Sequence, residues 1–205
     1  MTLYRGAWLC LLLLPLWLSG CDRAPKLEPL TEYSTILAFG DSLTRGTGAE
    51  EEESYPGRLQ PMLPGTLVVS AVPGETSDRG LSRLKQVLEQ TRPELVLLCH
   101  GGNDILQKRD LGRTKENLAE MIRLCRKEGA QVVLIGVPRP GLFLSAAELY
   151  RELAEEFHIP YEGEALSEIL SDNRLKSDLI HPNASGYARM AEAVEAVLFK
   201  SGALR

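Results

Sequence analysis

The feature that most constrains the fold of this 205-residue chain is an alternation, from residue 35 onward, of short apolar runs with stretches of helical periodicity. The strand-like runs are 35–39, 67–71, 95–99, 132–137 and the shorter 159–161. Several are apolar throughout, which is typical of parallel strands covered on both faces. The pattern predicts an α/β protein, a three-layer α/β/α sandwich with a central five-stranded parallel sheet.

Local signals predict where two of the intervening helices begin. Ser145 is followed three residues later by Glu148, the spacing of a capping box that would open a helix over 146–157. Asn183 follows a proline and is placed to cap the last helix with its side chain. Both helices are therefore expected to start from side-chain caps.

Four short blocks stand out because they combine glycine with residues that carry chemistry. They are Gly40-Asp41-Ser42-Leu43, Pro73-Gly74-Glu75-Thr76, Gly101-Gly102-Asn103-Asp104 and Asp178-Leu179-Ile180-His181-Pro182. The first three follow predicted strands one, two and three, and the fourth precedes the last helix. Ligands of such sheets bind beyond the carboxyl ends of the strands, so we expect the blocks to meet in one cleft.

Ser42 is the candidate nucleophile, and a serine hydroxyl needs a base within hydrogen-bond reach. Three histidines are available. His181 is favoured because Asp178, three residues earlier, can hold its Nδ1 and leave Nε2 free for the serine proton. His158 lies where a helix joins a strand and is predicted to be structural. His100 precedes the third block, but no carboxylate stands at a natural spacing to orient it.

Attack of a serine on an ester carbonyl creates an oxyanion, which needs hydrogen-bond donors. Three are available: the backbone N–H groups of Ser42 and Gly74 and the side-chain amide of Asn103. Glycine suits position 74 because the backbone must come close to the substrate there. Asn103 is preferred over Asp104 because only an amide can donate, so we expect Asp104 to turn away from the site.

With these residues the chain resembles the SGNH (GDSL-type) hydrolase superfamily, and within it the small bacterial thioesterase/lysophospholipase/arylesterase branch. The similarity runs over about residues 36–199. It implies the site residues Ser42, Gly74, Asn103 and His181, with Asp178 as the triad acid. It also implies a serine esterase that hydrolyses carboxylic esters through an acyl-serine intermediate.

Two departures from the family pattern are local. Ser70 stands where the second block often opens with Asn, and the stretch 138–145 is compact, which indicates a short substrate-covering loop. The triplet 142–144 can pack in the core or line an acyl pocket. Two other functions stay open: an O-acetyl esterase acting on envelope or extracellular polysaccharide, and a non-catalytic lipoprotein whose domain only binds.

The N-terminal part of the chain has a different character. Arg5 precedes an apolar run over 7–18 that is shorter than the roughly 20 residues needed to span a bilayer. The sequence Leu-Ser-Gly-Cys at 18–21 resembles a bacterial lipobox, in which Cys21 becomes the acylated N-terminus. An ordinary signal peptide or an uncleaved anchor is the alternative. The pattern predicts an exported, periplasm-facing lipoprotein, with the choice of inner or outer membrane open.

These observations divide the chain into a signal peptide (1–20), a lipidated N-terminus and tether (21–34) and a hydrolase domain (35–205). The net charge of -5 comes without a basic patch, which argues against nucleic acid as a partner. No cluster of His, Cys and carboxylates has metal-ligand spacing, so neither a metal nor another cofactor is expected. Cys99 and Cys125 are predicted to be buried, unpaired thiols.

Overall fold

A computed structural model of the chain describes residues 25–139 and 144–205. Its strands are β1 (Thr35–Gly40), β2 (Thr66–Ala71), β3 (Leu95–Cys99), β4 (Gln131–Ile135), β5 (Pro138–Arg139), β6 (Ser145–Ala146) and β7 (Tyr161–Glu162). Five of them form a parallel sheet in the order β2-β1-β3-β4-β7, and β5 and β6 form a separate antiparallel pair. The predicted fold class is confirmed.

The helices of the described chain form the two outer layers. They are α1 (Ser42–Arg45), α2 (Tyr55–Leu59), α3 (Ser77–Thr91), α4 (Gly102–Leu106), α5 (Leu111–Lys127), α6 (Glu148–Phe157), α7 (Ala165–Ser171) and α8 (Ala184–Ser201). Helix α5 packs against α3 and α6, whereas α8 packs against α2 and α7. Strands β1 and β3, at the centre, are almost wholly buried between these layers, which explains why their sequences are apolar throughout.

The register of the central strands brings the first and third sequence blocks together. Gly40, the last residue of β1, pairs with Cys99, the last residue of β3. A Cβ on Gly40 would lie 2.2 Å from the Cys99 carbonyl oxygen and from Thr44 Oγ1, so only glycine fits there. Asp41 and Ser42 therefore leave the sheet directly beside the segment that begins at His100.

The two predicted helix caps have different outcomes. Asn183 caps α8 as predicted, with its Oδ1 accepting from the Gly186 N–H at 3.1 Å. The capping box at Ser145 is wrong, because α6 begins at Glu148 without a side-chain cap. Ser145 is instead part of β6 and pairs with Arg139.

Part of the segment predicted as a tether lies against the domain. The Leu27 N–H donates to the Ser201 carbonyl and the Leu30 N–H to the Ala203 carbonyl. Lys26 Nζ donates to the Lys200 carbonyl. The chain is thus attached at the C-terminal end of α8 from residue 26 onward, so that this part of the predicted tether, 21–34, is not free. The predicted signal peptide (1–20) and Cys21 lie outside the described residues.

Among the described residues, Cys99 and Cys125 are buried and unpaired, as predicted. Burial raises the pKa of both thiols, that of Cys125 to about 12. In the described parts of the chain, no helix is long and apolar enough to cross a membrane. The same residues contain no group of three or more His, Cys, Asp or Glu side chains that could hold a metal ion.

Candidate active site

A cleft of about 390 Å³ opens beyond the carboxyl ends of β1 and β3. Ser42, Asn103 and His181 lie in its wall, so three of the four blocks meet there. The second block was predicted to join them, but none of its residues is among those that line the cleft. Most of the remaining lining is apolar: Leu43, Leu106, Val137, Pro138, Leu144, Leu170, Leu179 and Ile180. Leu144 is the only member of the 142–144 triplet inside the described residues, and it faces this cleft.

Ser42, His181 and Asp178 form a continuous hydrogen-bonded chain. Ser42 Oγ lies 3.1 Å from His181 Nε2, and His181 Nδ1 lies 2.8 Å from Asp178 Oδ2. Asp178 Oδ1 also accepts from the backbone N–H groups of Ile180 and His181, each at 2.8 Å. This arrangement can take a proton from the serine hydroxyl and stabilise the resulting imidazolium.

The hydrogen bonds to Asp178 outweigh the effect of its partial burial. Burial alone raises the pKa of this carboxyl group, but the bonds from the His181 ring and from two backbone N–H groups lower the pKa below its ordinary value. Asp178 is therefore an anion at neutral pH. It can hold the Nδ1 proton of His181 while Nε2 faces Ser42.

The turn that presents Ser42 is fixed by Asp41. The Asp41 carboxylate caps α1 by accepting from the Leu43 N–H at 3.1 Å, which makes Ser42 the first residue of that helix. The side chain of Asp41 is buried, and burial raises its pKa. Asp41 thus holds the loop while Ser42 faces the cleft.

The three predicted oxyanion donors differ in their availability. Within the described residues, the backbone N–H groups of Ser42 and Gly74 have no hydrogen-bond partner. The Asn103 amide donates twice, to Asp41 Oδ2 at 3.2 Å and to the Glu75 carbonyl at 3.0 Å. Both Asn103 protons are thus already engaged.

Gly74 lies on an exposed turn and is not among the residues that line the cleft. Its φ of 78° lies in the left-handed region, and a Cβ there would meet no atom of residues 25–139 or 144–205 within 4 Å. Backbone conformation, rather than crowding within the protein, therefore favours glycine at this position. The turn contacts the third block through Glu75, whose carbonyl accepts from Asn103.

Sequence comparison agrees with this geometry. The model of the GDSL-like Lipase/Acylhydrolase family matches residues 38–189, which is most of the chain and includes all four blocks completely. The chain belongs to this family.

Relatives and solved structures extend the similarity. The chain is 29% identical over 192 residues to "Esterase TesA" of Pseudomonas aeruginosa, covering 87% of this chain and 94% of the relative. It is 30% identical over 166 residues to "Thioesterase 1/protease 1/lysophospholipase L1" of Escherichia coli K12, covering 77% and 80%. A crystal structure of TesA superposes with a TM-score of 0.73 at 28% identity, covering 80% of this chain and 97% of that one.

The loop that carries the fourth family block is closed on itself. Lys176 and Pro182 form an antiparallel bridge, and the Ser177 N–H donates to the His181 carbonyl at 2.9 Å. Asn183 Nδ2 donates to the Arg174 carbonyl at 2.9 Å, in addition to its role as helix cap. These bonds hold His181 at the entrance to α8, opposite Ser42.

Asp104, the last residue of the third family block, turns away from the cleft as expected. Its side chain is 2% exposed, and its two oxygens accept from the N–H and the hydroxyl of Ser77, each at 2.8 Å. Asp104 therefore anchors the start of α3 to α4. Its charge is satisfied there rather than at the site of the developing oxyanion.

His100 has a carboxylate partner, contrary to the interpretation from sequence. The imidazole is fully buried, and its Nε2 lies 3.1 Å from Glu75 Oε2. Arg83 binds the same carboxylate, with Nη2 at 2.7 Å from Oε2. The contacts that join Glu75, Arg83 and His100 were not predicted, because spacings of 8 and 25 residues give no local signal. His158 lies between α6 and β7 with φ of 47° and is outside the cleft lining.

Proposed function

We propose that the chain is a serine esterase that hydrolyses carboxylic esters through an acyl-serine intermediate. The observation that carries the proposal is the 3.1 Å approach of His181 Nε2 to Ser42 Oγ, with Asp178 on the opposite ring nitrogen. A free hydroxyl is a weak nucleophile, and this neighbour is the base it requires. Membership of the GDSL-like family supports the same chemistry.

The reaction follows in two balanced halves. His181 takes the hydroxyl proton as Ser42 Oγ bonds to the ester carbonyl carbon, and it returns that proton to the departing alcohol or thiol. The acyl group is then esterified to Ser42. In the second half His181 takes a proton from water, hydroxide bonds to the acyl carbon, and Ser42 leaves with the proton as the free acid is released.

Stabilisation of the oxyanion requires a change at Asn103. The backbone N–H groups of Ser42 and Gly74 are the two free donors, and Asn103 is the proposed third. Since Asn103 already donates to Asp41 and to the Glu75 carbonyl, one of these bonds must be shared with or transferred to the oxyanion. The longer bond, at 3.2 Å to Asp41, is the one we expect to yield.

The cleft favours esters with an acyl or aryl group larger than acetyl. Its eight apolar side chains surround Ser42 in a volume of about 390 Å³, which is more than an acetyl group would fill. We therefore propose lysophospholipase or thioesterase activity, in keeping with the name of the Escherichia coli relative, or arylesterase activity, which the same apolar cleft would accommodate. An O-acetyl esterase acting on polysaccharide is the second candidate, and a domain that only binds is the third.

One set of measurements separates these candidates. A fluorophosphonate probe is expected to label the wild type at Ser42 and to leave the Ser42→Ala variant unlabelled and inactive. A series of p-nitrophenyl esters is expected to give a higher kcat/KM for octanoate than for acetate. Strict preference for acetate, with deacetylation of an acetylated glycan, would favour the second candidate. Absence of labelling together with absence of turnover would favour the third.

We also propose that the chain is an exported lipoprotein anchored through Cys21. The sequence at 18–21 supports this. Residues 26–30 are attached at the C-terminal end of α8. Lys26 comes five residues after Cys21, a reach of at most about 17 Å. Helix α8 has 18 residues, about 27 Å, and His181 precedes its opposite end. The cleft would then face away from the anchoring bilayer, and substrates would reach it from the aqueous side.

Mass spectrometry of the mature N-terminus tests the anchor. Diacylglycerol on Cys21, with residues 1–20 removed, is the expected result. A free or absent Cys21 in the membrane-extracted protein would contradict it. The esterase proposal does not depend on that outcome.

A further inference from the structure

We propose that Glu75, Arg83 and His100 are positioning residues for the oxyanion donors. We call these three side chains the Glu75 cluster. They touch neither Ser42 nor His181, and they act through the turn that carries Gly74 and through Asn103. This inference rests on the proposed esterase function, because it concerns donors that matter only when an oxyanion forms.

The Glu75 cluster is an ion pair between a buried Glu75 and a partly exposed Arg83, whose side chain is 22% exposed, and it is extended by a histidine. The side chains of Glu75 and His100 are 7% and 0% exposed. Arg83 Nε lies 2.9 Å and 3.2 Å from the two carboxylate oxygens of Glu75, and Nη2 lies 2.7 Å from Oε2. Such a bidentate contact fixes the orientation of the carboxylate as well as its position. The third partner of Glu75 is His100 Nε2, at 3.1 Å.

The protonation of His100 follows from its neighbours. The Gly101 N–H donates to His100 Nδ1 at 2.9 Å, so Nδ1 carries no proton. Nε2 must then carry the proton and donate it to Glu75. Burial raises the pKa of Glu75, but the bonds from His100 and Arg83 and the charge of Arg83 lower it overall to about 2. Both nitrogens of His100 are thus engaged, which prevents it from acting as a base.

Arg83 ties the cluster to the ends of β1 and β2. Its guanidinium lies 4.2 Å from the centre of the Phe39 ring. It also donates to Ser70 Oγ and, at 3.4 Å, to the Gly40 carbonyl. Ser70 is the residue that stands where the family pattern often has Asn, and here its hydroxyl accepts from Arg83. The cluster therefore contacts β1 and the edge strand β2.

The cluster reaches two of the three donors by short paths. The Glu75 main chain closes the turn around Gly74, because its N–H donates to the Val72 carbonyl at 3.1 Å. The Glu75 carbonyl accepts from Asn103 at 3.0 Å. On the other side, His100 holds the N–H of Gly101, two residues before Asn103. Fixing Glu75 and His100 consequently fixes the Gly74 N–H and the Asn103 amide relative to each other.

The expected consequence is an effect on the transition state rather than on binding of the substrate. A donor misplaced by a fraction of an ångström stabilises an oxyanion less, while the ground-state ester binds in the apolar cleft as before. Loss of the cluster should therefore lower kcat and leave KM nearly unchanged. A purely structural role would lower thermal stability without this selective change in kcat.

The test uses the full-length protein and four single variants: Glu75→Gln, His100→Gln, Arg83→Lys and Gly80→Ala. The Gly80→Ala variant retains the whole cluster, but its Cβ would lie 2.3 Å from His100 Nε2 and would displace the ring. Glu89→Gln and Arg79→Gln change exposed charges on the same helix, α3, and are the matched controls. Each variant is assayed well below its own Tm, with p-nitrophenyl octanoate and with a phosphonate inactivator.

We expect kcat to fall about 10- to 100-fold for Glu75→Gln and Gly80→Ala, with KM within twofold of wild type. The rate constant of phosphonate inactivation should fall in parallel, and Arg83→Lys should retain more activity than Glu75→Gln. A double variant Glu75→Gln/His100→Gln should be no slower than the slower single variant, because the residues act as a unit.

Two results would overturn the proposal. One is wild-type kcat in folded Glu75→Gln and Gly80→Ala proteins, and the other is a loss of activity expressed in KM alone. If Glu75→Gln does not fold, Gly80→Ala and Arg83→Lys decide the matter. Ser42→Ala separates this inference from the proposed function: an inactive Ser42→Ala with fully active cluster variants refutes only the inference, whereas an active Ser42→Ala refutes the esterase proposal itself.

Discussion

The domain contains two histidine–carboxylate pairs whose chemistry is similar and whose surroundings are opposite. In the His181–Asp178 pair the side chains are 13% and 53% exposed, and in the His100–Glu75 pair they are 0% and 7% exposed. His181 keeps Nε2 directed at Ser42, whereas the second nitrogen of His100 is occupied by the Gly101 N–H. A histidine that transfers a proton needs one ring nitrogen directed at the nucleophile. A histidine that only positions other groups can have both nitrogens bound to the protein.

The largest difference between the pairs is expected in turnover. Replacing His181 by Gln should lower kcat by about 10⁴-fold or more, because no base then faces Ser42. Replacing His100 by Gln should lower kcat only about 10- to 100-fold, because only the support of the donors is lost. Steady-state kinetics of both variants on one ester checks this. Equal losses in the two variants would contradict the division of roles.

The second difference is expected in stability, with the order reversed. Glu75→Gln leaves Arg83, whose side chain is 22% exposed, without its counter-charge. Breaking a fully buried pair costs about 3–5 kcal/mol of unfolding free energy, and we expect a loss at the lower end of that range. Asp178→Asn changes a half-exposed pair and should cost less than about 1 kcal/mol. Urea unfolding followed by circular dichroism measures both. A larger loss for Asp178→Asn than for Glu75→Gln would be inconsistent with the burial of the two pairs.

The two pairs also differ in whether their contacts can be predicted from sequence. Asp178 and His181 are three residues apart in one loop, so their contact is visible in the sequence. Glu75 and His100 are 25 residues apart and meet only because α3 and β3 return the chain to the end of β1. A contact between residues so far apart in the sequence cannot be predicted from local spacing.

The errors in secondary structure have similar causes. The central strands were predictable because burial on both faces makes them continuously apolar. The Ser145 cap was wrong because a short antiparallel pairing with Arg139, invisible in local sequence, keeps Ser145 in a strand. The segment 26–34 is polar and contains a proline, yet backbone hydrogen bonds to the end of α8 attach it to the domain. Tertiary contacts decided each of these cases.

A third difference between the pairs concerns pH. The pKa of Glu75 is lowered to about 2 in the folded protein, against about 4.3 for an unperturbed Glu. Its contribution to stability is therefore complete above about pH 4.3 and is lost as the pH falls towards 2. Wild type should lose stability more steeply than Glu75→Gln between pH 5 and 2 in urea titrations, with Glu89→Gln behaving as wild type. Parallel curves for wild type and Glu75→Gln would show that the folded-state pKa is not lowered.

The smallest effect on kinetics is expected for Leu179, which lies between Asp178 and His181 in the sequence. Leu179 lines the cleft and is 85% exposed. Its replacement by Ser should raise KM for an octanoate ester about two- to fivefold and leave KM for acetate unchanged, because only a long acyl chain would contact it. Tyr33→Ser, at an equally exposed position outside the cleft lining, is the control. An equal change for both esters would argue against contact with the acyl chain.

The central claim is that Ser42 carries the acyl group, and trapping that intermediate tests it most directly. Wild type is mixed with p-nitrophenyl octanoate, quenched in acid within the burst phase, digested, and mapped by tandem mass spectrometry. If Ser42 is the nucleophile, an octanoyl group will be found on the Ser42 oxygen of the peptide that contains this residue, and none will be found in the Ser42→Ala protein. An acyl group on another residue, or rapid turnover by Ser42→Ala, would contradict it.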